Sequence, residues 1–133
     1  MTRAPRDDDL DRRYRTPAGI MALWAGWALG PLGWALHQNA SFWIIPALCE
    51  GKTLWPLWAV SAVTLAIALG GGAISYRAFR RLGDGWPKGE GGDVPARSRF
   101  LAAAGAAIAA LSALGIVVES AGLAVLDACA GVP

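Results

Sequence analysis

Residues 30–49 read "GPLGWALHQNASFWIIPALC". Both ends are apolar enough to enter a membrane, yet the centre carries His37, Gln38 and Asn39, and Cys49 closes the stretch. His37 is the only histidine in the chain. Upstream, the run extends without Asp, Glu, Lys or Arg to Pro17. Two further runs resemble it. One covers residues 53–76; the other covers 100–118 and continues past Glu119 to Leu126. A hydrocarbon core of about 30 Å is crossed by about 20 helical residues, so all three runs are long enough.

Composition agrees. Hydrophobic residues make up 55% of the chain and charged residues 17%, below the roughly 25% usual in soluble domains. Three helices that are apolar all round would leave too little polar surface to dissolve 133 residues. The expected fold is therefore all-α, a three-helix transmembrane bundle. Its helices are expected at about 17–48, 54–80 and 98–127, joined by a loop over about 81–97, so that 17–133 forms the membrane domain. A net charge of +2 is too small to argue for a nucleic-acid partner.

Basic residues set the expected orientation. Five arginines lie in residues 1–16, and six Lys or Arg lie between Arg77 and Arg99, whereas the first connection has only Lys52. The positive-inside rule then puts the N-terminus and the 77–99 loop in the cytoplasm and the 50–53 turn and the C-terminus outside. Residues 1–16 alternate basic and acidic blocks around "DDDLD" and read as a solvated charged cytoplasmic tail. The first apolar run is too long for a signal-peptide core and reads as a retained anchor. At 33 residues it would measure about 50 Å as one straight helix. With Pro31 and Pro46 inside it, a tilt, a kink near 27–31 or a break around 37–41 is expected. The Gly- and Pro-rich stretch after "YRAFRR" is expected to be a loop, and it lacks the spacing of a phosphate-binding loop.

At 100° per residue, Gly26, Gly30, Gly33 and His37 share one face of the first helix. Ser61, Thr64, Ala68, Gly71 and Ser75 share one on the second, and Gly105, Ser112, Gly115, Glu119 and Gly122 share one on the third. Small residues let helix backbones approach closely in lipid. Gly26, Gly30, Gly33, Gly115 and Gly122 are thus expected at helix-packing seams. His37, Gln38 and Glu119 are expected as buried polar groups, with Asn39, Ser41 and Ser120 in the same layer, because a carboxylate facing lipid costs about 3 kcal/mol. His37 lies 12 residues before Cys49 and Glu119 lies 10 before Cys129, about 18 and 15 Å along a helix, so the two can share a level. They can hydrogen-bond to fix helix register. They can also relay a proton, touch a metal or meet a partner. One histidine supports haem poorly.

Cys49 and Cys129 both fall at outer helix ends, on the oxidising side, and two cysteines permit a single bridge. A disulfide is expected. The competing reading is a thiol pair that holds copper or exchanges disulfides, although no CxxC is present. No metal site or cofactor is expected, since close ligand spacing is lacking.

The pattern GPxxWxxH…PxxC, here Gly30, Pro31, Trp34, His37, Pro46 and Cys49, together with the closing Asp127-x-Cys129, resembles a family of small three-helix bacterial inner-membrane proteins. The resemblance covers residues 18–129. Genes of that family often lie near those for cytochrome c oxidase and its assembly factors. Glu119 departs from the family pattern, where a polar amide or a small residue is commoner. The resemblance implies a non-enzymatic accessory or assembly protein of a respiratory terminal oxidase, acting by helix–helix interaction. Its partners would be the bilayer, oxidase subunits or assembly factors. The alternative is a small transporter or proton-conducting subunit that uses His37 and Glu119 as a homo-oligomer, since one protomer is too small to enclose a path.

Overall fold

The computed structural model describes residues 7–51, 53–83, 94–127 and 129–130. These form four helices: α1 (Asp7–Tyr14), α2 (Pro17–Gly51), α3 (Trp55–Arg81) and α4 (Val94–Val125). α2 and α3, and α4 from Ala96, are each long and apolar enough to cross a membrane. Most of the Gly- and Pro-rich connection, over 84–93, lies outside the described residues, as do 1–6 and Lys52.

The first difference from expectation is α1. Residues 7–14 are helical and packed. Leu10 and Tyr14, one helical turn apart, are only 8% and 5% exposed. They join a cluster with Leu23 of α2, Ala78 of α3, Leu82 and Ala102 of α4. The Tyr14 hydroxyl donates to the Ala78 carbonyl at 3.3 Å. Two residues, Arg15 and Thr16, separate α1 from α2, so α1 cannot swing free of the bundle end. Thr16 caps α2: its hydroxyl oxygen accepts from Gly19 N–H at 3.2 Å, and its carbonyl accepts from Ile20 N–H at 3.0 Å. Pro17 takes the first helical position, where its missing N–H is harmless. Gly19 has no side chain because the Arg13 carbonyl and the Tyr14 Cα occupy that space.

α2 is helical without a break across all 35 residues, about 52 Å; of the expected tilt, kink or break, the break around 37–41 does not occur. The polar residues 37–41 do not interrupt it. Asn39 returns its side-chain amide to the Ala35 carbonyl of its own helix at 2.8 Å, and His37 and Gln38 find partners on other helices. Each proline removes one hydrogen bond, and Pro31 and Pro46 both lie on the exposed side.

α2 and α4 run parallel, with α3 antiparallel to both. A Cβ on Gly26 would collide with the Gly105 carbonyl, and one on Gly30 would lie 2.7 Å from the Ala109 Cα. Against α3 the order reverses: Gly26 meets Ser75, and a Cβ on Gly33 would lie 2.7 Å from the Thr64 carbonyl. Gly26 N–H donates to Ser75 Oγ at 2.8 Å, and Trp27 Nε1 donates to the Leu101 carbonyl of α4 at 3.0 Å. On α3, Ser61, Thr64, Ala68, Gly71 and Ser75 are all buried. On α4 the buried line is Ser98, Ala102, Gly105, Ala109, Ala113, Ile116 and Ser120. It lies about one residue to the side of the expected seam. Gly115 instead receives the Trp34 ring, 3.3 Å from where a Cβ would stand. A Cβ on Gly122 would meet nothing within 4 Å, so this glycine is not a packing residue.

Gly83, at φ +89°, turns the chain out of α3 in the left-handed region that glycine favours. Arg99 of α4 donates to the exposed carbonyls of Leu82, at 3.1 Å, and Gly83, capping that end of α3 with a cation.

Candidate functional site: a carboxylate held between two helices

His37 is the most buried ionisable group of the apolar stretches, with 2% of its side chain exposed. It sits there because Gly33, one turn earlier, brings α2 against α3. Its Nδ1 lies 3.4 Å from Thr64 Oγ1, and its Nε2 lies 3.6 Å from Glu119 Oε2. The other carboxylate oxygen, Oε1, accepts from Trp34 Nε1 at 3.0 Å and from Gln38 Nε2 at 2.6 Å. Trp34, His37 and Gln38 stand at i, i+3 and i+4, the spacing of one helix face. Three nitrogens of α2 thus converge on one carboxylate of α4.

The hydrogen-bond inventory constrains the proton in this layer. Thr64 has one hydroxyl proton. Donated to the Val60 carbonyl at 2.8 Å, it leaves Oγ1 to accept from Nδ1–H. Donated to Nδ1, it meets a ring that accepts there, so the roles of Thr64 and His37 depend on the tautomer.

The layer is not closed on all sides. The Glu119 side chain is 32% exposed, Trp34 and Gln38 are exposed, and the carboxylate lies in the groove between α2 and α4. Gln38 thus differs from its expected burial. One position past His37 turns it about 100° away from the core, and only its terminal amide reaches back to Glu119. Asn39 faces outward, and Ser41 Oγ is buried without a hydrogen-bond partner. Ser120 forms a second contact, donating to Ser61 Oγ at 2.9 Å or to its own Ile116 carbonyl at 2.7 Å. Sequence reasoning does not find Trp34 as a donor to Glu119. The available signal is the WxxHQ spacing opposite a single intramembrane glutamate.

At the far ends of α2 and α4, Cys49 and Cys129 are disulfide-bonded, with Cα atoms 5.6 Å apart. No free cysteine remains, so these sulfurs are not available as thiolate ligands. Among the described residues, no three His, Cys, Asp or Glu side chains converge as a metal-ligand set. At the opposite end, burial raises the Tyr14 phenol above its ordinary value of 10.0, against the Arg13 and Arg81 charges that lower it.

Fold and site together define an all-helical protein with three candidate membrane spans and a polar layer inside them. Compared with known protein families, with functionally described proteins and with solved structures, the chain matches none.

Proposed function

We propose that the protein is an integral accessory or assembly protein of a bacterial inner membrane, associated with a respiratory terminal oxidase, which acts through its helix faces and catalyses nothing itself. The observation that carries this reading is Glu119. It is fixed by two donors of α2, Trp34 and Gln38, with His37 close by, and left part-exposed on an apolar surface beside the exposed Trp34 ring. An ionised group facing hydrocarbon is costly, and a partner helix laid in the α2–α4 groove would cover it. The oxidase is named from the resemblance of the GPxxWxxH…PxxC pattern. The orientation, N-terminus in the cytoplasm and C-terminus in the periplasm, is supported by the arginines at the α1 end and by a disulfide at the opposite end, where an oxidising compartment would form it. The test is purification from native membranes in mild detergent after cross-linking. Oxidase subunits or assembly factors are the expected company, and their absence would end this reading.

A second reading is favoured by the approach of His37 Nε2 to Glu119 Oε2, at 3.6 Å. As an oligomer, the protein would conduct protons through the His37–Glu119 layer. Proteoliposomes carrying His37→Ala or Glu119→Gln should then lose proton flux; flux equal to the unsubstituted protein would exclude it.

A further inference from the structure

We infer that the groove between α1, α2 and α3 binds the headgroup phosphate of an anionic phospholipid, and that this lipid helps hold α1 against the bundle. This goes beyond the proposed function and does not depend on any protein partner. The groove has a volume of about 430 Å³. Arg13 of α1 and Arg77 and Arg81 of α3 line it, together with Thr16. No carboxylate is part of its lining, and among the described residues none of these three arginines is in an ion pair. Arg13 and Arg81 both act on the Tyr14 phenol, so their charges converge from two separate elements.

Two neighbouring grooves differ in the feature that matters. The adjoining groove reached by Arg12 and Arg80 shares Arg13, Thr16 and Arg81 with the first and also contains Asp9, so Arg77 is the arginine that belongs to the first groove alone. The one beyond Arg15 and Arg97 has its Arg15 paired with Asp11 at 2.8 Å. Only the first of the three is lined by cations without an acid or an acid-paired member.

Its floor tells a lipid from a soluble anion. Ala18 and Ala22 of α2 and Ile74 of α3 continue the groove onto the apolar flanks of two candidate spans. A free phosphate would use the guanidinium groups and leave this strip bare. A phospholipid uses both, placing phosphate among the arginines, which match it with forked donors, and its first methylenes along the strip. Bridging Arg13 to Arg77 and Arg81, it would tie the short helix to the bundle.

The test is native mass spectrometry of the full-length, delipidated protein in detergent, titrated with phosphatidylglycerol, phosphatidylcholine or glycerol phosphate. Phosphatidylglycerol should bind most tightly, and Arg13→Gln and Arg77→Gln should each weaken it about five-fold. Arg15→Gln, the charge-matched control, should leave it unchanged. Hydrogen exchange over residues 10–14 should slow when phosphatidylglycerol is added. Equal binding of the two lipids overturns the proposal, as does an Arg15→Gln loss matching that of Arg13→Gln. Displacement of the lipid by equimolar glycerol phosphate would reassign the groove to a soluble anion. Should Arg77→Gln fail to fold, Arg13→Gln decides alone, because Arg13 lies outside the three long helices.

Discussion

The two ends of the bundle are closed by different means. At one end an eight-residue helix docks two side chains, Leu10 and Tyr14, into a cluster drawn from α2, α4 and the end of α3. At the other end, α2 and α4 are joined by the Cys49–Cys129 bond, while Phe42, Trp43, Trp55, Val125 and Leu126 all point outward. Lipid is as apolar as leucine and gives helices no hydrophobic reason to associate. Where glycine and serine allow backbone contact and water-facing residues cap the end, packing alone holds the helices. Where large aromatic residues turn to the lipid, a covalent bond does so.

The comparison can be broken first at its packed half. Gly26→Leu would drive a side chain into the Gly105 backbone and the Ser75 hydroxyl. A loss of about 3 kcal/mol is expected, read by unfolding in mixed micelles, and a near-neutral result would deny that the seam is tight. Next comes the covalent half. A disulfide closing a loop of 80 residues is worth roughly 4 kcal/mol for a free chain. Helices already threaded through a bilayer have less entropy to lose, so Cys49→Ser should cost about 2 kcal/mol. Hydrogen exchange should quicken around residues 45–51 and leave α1 as it was.

Between the ends, Glu119→Ala should cost about 2 kcal/mol by leaving Trp34 Nε1 and Gln38 Nε2 without their acceptor and His37 Nε2 without its carboxylate neighbour. Replacing Glu119 with Gln, which keeps an acceptor oxygen, should cost less. The smallest effect is at Tyr14. Tyr14→Phe removes one hydrogen bond, about 1 kcal/mol, and should loosen α1 alone. Because burial raises this phenol, the folded state holds its proton more tightly than the unfolded chain does. That contribution is complete below pH 10.0 and is lost as pH rises through the higher folded value. Proteolysis near residue 15 should therefore increase in alkaline buffer, and Tyr14→Phe should abolish the dependence.

Much of this architecture is legible in the sequence because lipid imposes one simple requirement, a long apolar run. The α3 seam can be read residue by residue, since small and polar side chains in an apolar helix have few other places to go. The α4 seam is harder. Alanines make up about a third of that helix, so Gly115, Glu119 and Gly122 stand out while Ala109, Ala113 and Ile116 are the residues buried. α1 is hidden by its charge. Leu10 and Tyr14 do stand on one face, but within only eight residues whose other six are charged, and the docking surface exists only once α3 and α4 are assembled. Whether α2 would tilt, kink or break is open in the sequence for a related reason: the polar residues that would favour a break have their partners on α3 and α4, which the local sequence does not display.

The disulfide also has a consequence in time. It joins the first and last of the three long helices, and Cys129 reaches the side of Cys49 only once α3 has returned and α4 has been threaded. On the proposed transmembrane topology, oxidation therefore follows insertion and cannot precede it. A chain caught with α4 still uninserted carries two free thiols, so alkylation during synthesis would date the moment at which the last span arrives.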